Sequence, residues 1–237
     1  MAPAGFALAG ADNGILVVAF DIVLLAISLS VHEAAHAWAA YKLGDPTARD
    51  LGRMTLNPLV HIDLFMTIVL PVMCFLTGAP LFGGAKPVPV SMHRLRNPWV
   101  DMGVVAFAGP LSNAILACFF YALYHAAVKY GFYNGAAASE FLRGEQLLPT
   151  VLASAWAFNI LLFVFNLIPI PPLDGSRILV NLLPESLRET YSRIGAFGLV
   201  AVFLLINYVP SFNHVVRSAT ISMYHVIEQF VTLGGRW

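Results

Sequence analysis

Residues 15–43 read ILVVAFDIVLLAISLSVHEAAHAWAAYKL, a run whose charged side chains are Asp21, Glu33 and Lys42 among apolar and small ones. At 1.5 Å per residue, a helix over this run outreaches a hydrocarbon core roughly 30 Å thick, so the run is expected to span a bilayer. The rest of the chain has the same character. Of its 237 residues 59% are hydrophobic and 11% charged, against about a quarter charged in an average soluble domain. Further apolar runs lie at 102–128, 147–168 and 194–209, the last closed by Pro210. The expected fold is an all-α polytopic membrane bundle with about four spans, organised as a single domain over 1–237. Its segments are 14–43, 64–90, 101–128, 147–175, 194–210 and 215–233.

The run at 64–79 is short, carries Pro71 and ends in the loop-forming stretch GAPLFGGAKPVPV. Lys42, Arg49 and Arg53 precede it and Lys86, Arg94 and Arg96 follow it, so both flanks read as cytoplasmic. Residues 64–90 are therefore expected to form a re-entrant helix followed by a short extended, β-like loop. The same rule places Arg177, Arg188 and Arg193 inside, and the N-terminus, Lys129, Arg143, Arg217 and Arg236 outside. Residues 215–233 mix His225, Glu228 and Gln229 with apolar side chains, which suits a helix lying on the membrane. No positive residues precede the first apolar run, so no cleaved signal peptide is expected. The net charge is zero and no basic stripe exists, which excludes nucleic acid as a partner. Cys74 and Cys118 are isolated in apolar runs and read as small membrane-buried residues.

The chemistry concentrates in Val31-His32-Glu33-Ala34-Ala35-His36, an HExxH sequence inside the first span. Four positions along a helix turn by about 400°, so His32 and His36 project from nearly one face and can reach one ion. Neutral imidazole nitrogen suits zinc, and Glu33 is placed to act as general base toward a water that the metal activates. A chance match is disfavoured, because a charged residue near the bilayer centre costs about 2.5 kcal/mol or more. Asp21 lies far up the same helix and takes no catalytic role. A catalytic zinc needs a third protein ligand. Asp174, at the end of the proline-rich break NLIPIPPLDG, is the leading candidate, since broken helices at membrane depth line cavities. His61 and Asp63 are rivals, and spacing does not separate the three.

The motifs HEAAH at 32–36, GRMTLNPLVHID at 52–63, GAKPVPV at 84–90, AGPLSN at 108–113 and NLIPIPPLDG at 166–175 together cover most of the chain. In them the chain resembles the site-2 proteases, intramembrane metalloproteases that cut transmembrane segments. The resemblance implies that His32, His36 and Asp174 ligate one Zn²⁺ per chain and that Glu33 is the catalytic acid/base. It also implies that Asn166 is a polar residue beside the scissile peptide, able to donate to substrate or oxyanion. Gly109, Pro110 and Asn113 read as packing residues. The GAKPVPV segment reads equally as an edge against which unwound substrate pairs or as a rigid proline loop, since Pro87 and Pro89 lack donors. The implied partners are the lipid bilayer and transmembrane segments of other membrane proteins. The implied location is a bacterial cell membrane, with the active site nearer the cytoplasm. The chain has no room for the PDZ or CBS domain of many relatives, so a minimal form is expected. Two other readings remain: a polytopic zinc transporter, and a catalytically inactive relative that binds membrane proteins.

Overall fold

The computed structural model describes residues 14–77, 83–130, 147–193, 195 and 197–234. The expectations about the first residues, the tip of the re-entrant run, the loop with Arg143 and the end with Arg236 fall outside them. Among the described residues the regular structure is helical and no strand occurs.

Three long helices form the frame: α1 (Gly14–Lys42), α5 (Pro98–Lys129) and α6 (Leu147–Asn166). Each packs on the other two. They bury small and polar side chains, among them Ser28, Ser30 and Ala40 of α1, Val105, Ala106, Asn113 and Ala117 of α5, and Ala155 and Asn159 of α6, together with the bulkier Leu25, Leu29, Tyr121, Phe158, Ile160 and Leu162. Other large apolar side chains point outward, including Val23, Ile27 and Trp38 of α1 and Phe107, Ile115 and Phe119 of α5. Apolar side chains thus lie on both faces of the helices, which suits helices packed partly through small residues with lipid outside. Among the described residues two helices are long and apolar enough to cross a membrane, Ala19–Lys42 and Pro98–Lys129. The pair Val200–Ile206 and Pro210–Thr232 becomes a third if counted as one span, though it bends by 90°. The described apolar part of α6, Val151–Asn166, is shorter, and α9 (Phe197–Tyr208) has 12 residues. Among the described residues length and hydropathy thus support two to three spans, where the sequence suggested about four over the whole chain.

Between α1 and α5 the chain folds as short pieces: α2 (Thr47–Asp50), α3 (Pro58–His61), then a π-helical turn Leu64–Val69 continuing as α4 (Leu70–Thr77). Pro71 lacks the N–H that Thr67 would receive in an α-helix, and the preceding turn widens so that Leu70 N–H reaches the Phe65 carbonyl. The chain then returns to its starting point. Gly84 N–H donates to the Met66 carbonyl (3.0 Å) and Lys86 N–H to the His61 carbonyl (2.8 Å). The Thr67 hydroxyl donates to the Gly84 carbonyl (2.6 Å) and Arg53 to the Lys86 carbonyl (2.7 Å). Main-chain groups of 84, 86 and 88 thus face the protein with the period of two of an extended chain. Pro87 falls between these positions and Pro89 follows in the same phase, so their missing N–H groups leave no orphan there. Asp45, past the end of α1, receives the Ser91 N–H (2.6 Å) and ties down the end of this strap. A turn Met92–Arg94 leads into α5.

After α6 the chain breaks at 167–173 and restarts as α7 (Asp174–Leu179), a turn Val180–Leu182 and the amphipathic α8 (Glu185–Ser192). α9 is followed by α10 (Pro210–Gly234), which packs against α5, α6 and α9. Ile168 and Leu173 of the break bury against Val202 of α9, with Phe212 and Val216 of α10 beside them. The helices after the break therefore hold Asp174 in place.

Candidate metal centre

His32 and His36 lie side by side on α1, with ring planes nearly perpendicular at 88° and centroids 4.6 Å apart. Asp174 is brought to them from the N-terminal turn of α7. Its Oδ2 lies 3.1 Å from His32 Nε2 and 3.3 Å from His36 Nε2, and the two Nε2 atoms are 3.0 Å apart. All three residues are buried. Among the described residues this is the one group of histidine, cysteine, aspartate and glutamate side chains arranged to hold a metal.

The opposite ring nitrogens explain why. His36 Nδ1 faces the Val105 carbonyl (2.7 Å) and His32 Nδ1 faces Asn113 Oδ1 (2.6 Å). Both partners are acceptors, so each Nδ1 carries the ring proton and both Nε2 atoms present lone pairs to the Asp174 carboxylate. Lone pairs this close need a proton or a cation between them. A tetrahedral ion with bonds of about 2.0–2.1 Å separates its ligands by about 3.3 Å, so the triangle needs only slight expansion to accept zinc, and two imidazoles with one carboxylate is a set zinc takes.

Neighbouring residues make the geometry possible. A Cβ on Gly109 would overlap both imidazoles, so only glycine lets α5 come this close. Pro110, next in the chain, deprives the Ala106 carbonyl of its helical partner, and in the same turn the Val105 carbonyl is the one that His36 reaches. A Cβ on Gly175 would strike the Leu167 and Ile168 carbonyls, so the turn that delivers Asp174 closes only with glycine there. Glu33 is also buried, and its Oε2 accepts the Val88 N–H at 2.7 Å. This is the one N–H in Pro87-Val88-Pro89.

The rival ligands lie elsewhere. His61 Nε2 donates to the Thr55 carbonyl (2.9 Å), and Asp63 caps the π-turn by accepting from Phe65 N–H (3.0 Å) and Met66 N–H (2.8 Å). The Asn166 amide donates to the Leu162 carbonyl of its own helix (3.0 Å). Sequence reasoning treated Asn113 as a packing residue and passed over Asn159 and Val88. The two asparagines did carry a signal, since a buried amide in a spanning helix needs a partner. Val88 carried none, because its contribution is a backbone atom.

Residues 20–207 match Peptidase family M50. The chain is 39% identical over 195 residues to "Putative zinc metalloprotease YwhC" of Bacillus subtilis, covering 82% of each chain. It is 31% identical over 192 residues to "Putative zinc metalloprotease Rip2" of Mycolicibacterium smegmatis, covering 79% of this chain and 66% of that one. No solved structure matches the chain. With its HExxH helix, apolar-faced spans and a family match running from the first span to α9, the chain belongs to Peptidase family M50, the site-2 protease family.

Proposed function

We propose that this protein is a zinc-dependent endopeptidase that hydrolyses peptide bonds in or near transmembrane segments of other membrane proteins. The observation that carries this reading is the convergence of the His32, His36 and Asp174 lone pairs, with Glu33 on the same helix, inside helices whose outer faces are apolar. One zinc ion held by the three residues would act as a Lewis acid toward the scissile carbonyl and lower the pKa of water. Glu33 is the proton carrier: Val88 fixes Oε2, and Oε1 takes a proton from water and returns it to the leaving amine. Burial of the group excludes bulk water and strengthens each electrostatic contact. Asn166 enters by resemblance as a substrate donor, a role that requires its amide to turn away from Leu162. The membrane is a bacterial one, in keeping with the bacterial organisms of the relatives, with the segment that starts at Leu64 re-entrant and the site nearer the cytoplasmic face.

The test uses purified protein in lipid nanodiscs with a panel of transmembrane peptides, comparing wild type with Glu33→Gln. About one zinc per chain in both, with cleavage only by wild type, is the expected result. Zinc in both without cleavage by either would favour the inactive relative. Cleavage of soluble peptides in preference to membrane ones would overturn the intramembrane assignment, and a wild type without zinc would overturn the whole reading.

A further inference from the structure

Behind His32 a line of buried amides crosses the bundle. Asn113 of α5 and Asn159 of α6 are fully buried and Ser28 of α1 nearly so. Asn159 Nδ2 lies 2.8 Å from the Ala155 carbonyl and 2.9 Å from Ser28 Oγ. A backbone carbonyl only accepts, so the atom facing Ala155 must be the NH₂ group, and the orientation of Asn159 is fixed. Its Oδ1 then faces Asn113, whose Nδ2 donates to it at 2.9 Å. The same Nδ2 lies 3.5 Å from the Ser28 carbonyl, a second atom that can only accept. Asn113 therefore has one orientation too, with Oδ1 turned to His32 Nδ1 at 2.6 Å.

The alternative shows what this order controls. With Asn113 reversed, its NH₂ would face His32 Nδ1, which would have to give up its proton to accept. The proton would move to Nε2 and point at His36 Nε2 and Asp174 Oδ2, where a metal would be bound. One flip of the Asn113 amide thus separates a ligand from a non-ligand.

We propose that Asn159 is a positioning residue for the metal centre: anchored by the Ala155 carbonyl and Ser28, it orients Asn113, which keeps the proton of His32 on Nδ1 and the Nε2 lone pair toward the metal. Asn159 touches neither the metal ligands nor, on the proposed reading, the substrate. It acts through Asn113 alone. The inference rests on the metal-centre reading for its purpose, but the ring proton can be observed without metal.

The experiment uses the full chain in nanodiscs, labelled with ¹⁵N-histidine and freed of metal by chelation. Nitrogen spectra report the tautomer of each of the seven histidines, with His32→Gln identifying the His32 signals. Wild-type His32 is expected to carry a proton on Nδ1, whether or not a second proton is shared among its Nε2, His36 Nε2 and Asp174 in the metal-free protein. Asn159→Leu, of similar volume but unable to accept from Asn113, is expected to shift it to Nε2–H or to a mixture. Zinc affinity by chelator competition should fall about 10-fold to 100-fold, as when outer partners of ligating histidines are removed. In an Asn113→Asp background, either orientation of residue 113 offers an oxygen, so adding Asn159→Leu should leave the tautomer at Nδ1–H. A purely structural role would lower the melting temperature without moving the tautomer. If Asn159→Leu does not fold, Asn159→Ala provides the same readout. Retention of the Nδ1–H form and of wild-type zinc affinity would overturn the proposal while leaving the metal centre standing. Absence of zinc from the wild type would instead strike the proposed function, and the metal-free spectra would still decide the relay.

Discussion

Gly109 limits how near α5 can come to the two imidazoles, and its position gives the sharpest single-residue expectation. Gly109→Ala puts a methyl group where the ligand nitrogens lie, so zinc affinity should fall by about 100-fold or more while helix content stays near wild type, since alanine is the better helix former. Chelator competition and circular dichroism check both halves. At residue 88 the relevant atom is the backbone N–H. Val88→Pro removes the donor to Glu33 Oε2, and Val88→Ala keeps it. The first should lose roughly 10-fold to 100-fold in kcat with zinc content unchanged, in line with losing an orienting hydrogen bond to a proton carrier, and the second should match wild type in single-turnover cleavage. Legibility at this scale followed geometry. The four-residue spacing of His32 and His36 is converted by any helix into proximity, so the sequence alone revealed it. Asp174 arrives from 142 residues away, and no local rule separates it from His61 or Asp63.

The extended strap from 83 to 91 is held at both ends and in the middle by groups from earlier elements. Its far anchor is Asp45, fully buried, which accepts from Ser91 N–H, Thr47 N–H (3.0 Å) and the Thr47 hydroxyl. Burial alone would raise its pKa, but the Thr47 and Ser91 hydrogen bonds, with Arg94 nearby, outweigh burial and hold the carboxyl below its ordinary value. The folded state thus favours the charged form. The resulting stabilisation is fully present above about pH 4, the ordinary aspartate range, and is lost as pH falls through the lower folded value. Asp45→Ala should cost about 2–3 kcal/mol near neutral pH, as expected for hydrogen bonds to a charged group, and the gap to wild type should narrow below about pH 4. Thermal melts in detergent across pH 3 to 7 measure this. Much of the element order was readable: Pro71 marked an interruption and the proline-rich run marked the break before Asp174. The widened turn ahead of Pro71 was not, because proline announces a missing donor without saying how the chain absorbs it. Nor was the 90° bend between α9 and α10, since Pro210 fits a helix start equally well in any direction.

Across the whole molecule the candidate metal site joins α1 to α7, with α5 packed against both and meeting the α1 histidines at Gly109 and Asn113. A ligand that binds only the assembled site stabilises the fold by mass action, about 2.7 kcal/mol at a hundredfold excess over its dissociation constant. Zinc should therefore raise the melting temperature by several degrees, a chelator should reverse the rise, and Asp174→Ala should abolish it. The outward apolar faces of the frame were legible as composition but not as arrangement, because runs such as 102–128 are apolar all round and only packing decides which side meets protein. That arrangement reaches into calorimetry. Where serine, asparagine, glycine and alanine take part of the interior and many bulky side chains already face lipid, melting brings less fresh hydrocarbon into contact with water than in a soluble domain of this size. The heat-capacity step should accordingly be below the roughly 12–15 cal/mol/K per residue of soluble domains, and stability should curve less strongly with temperature than it does for them.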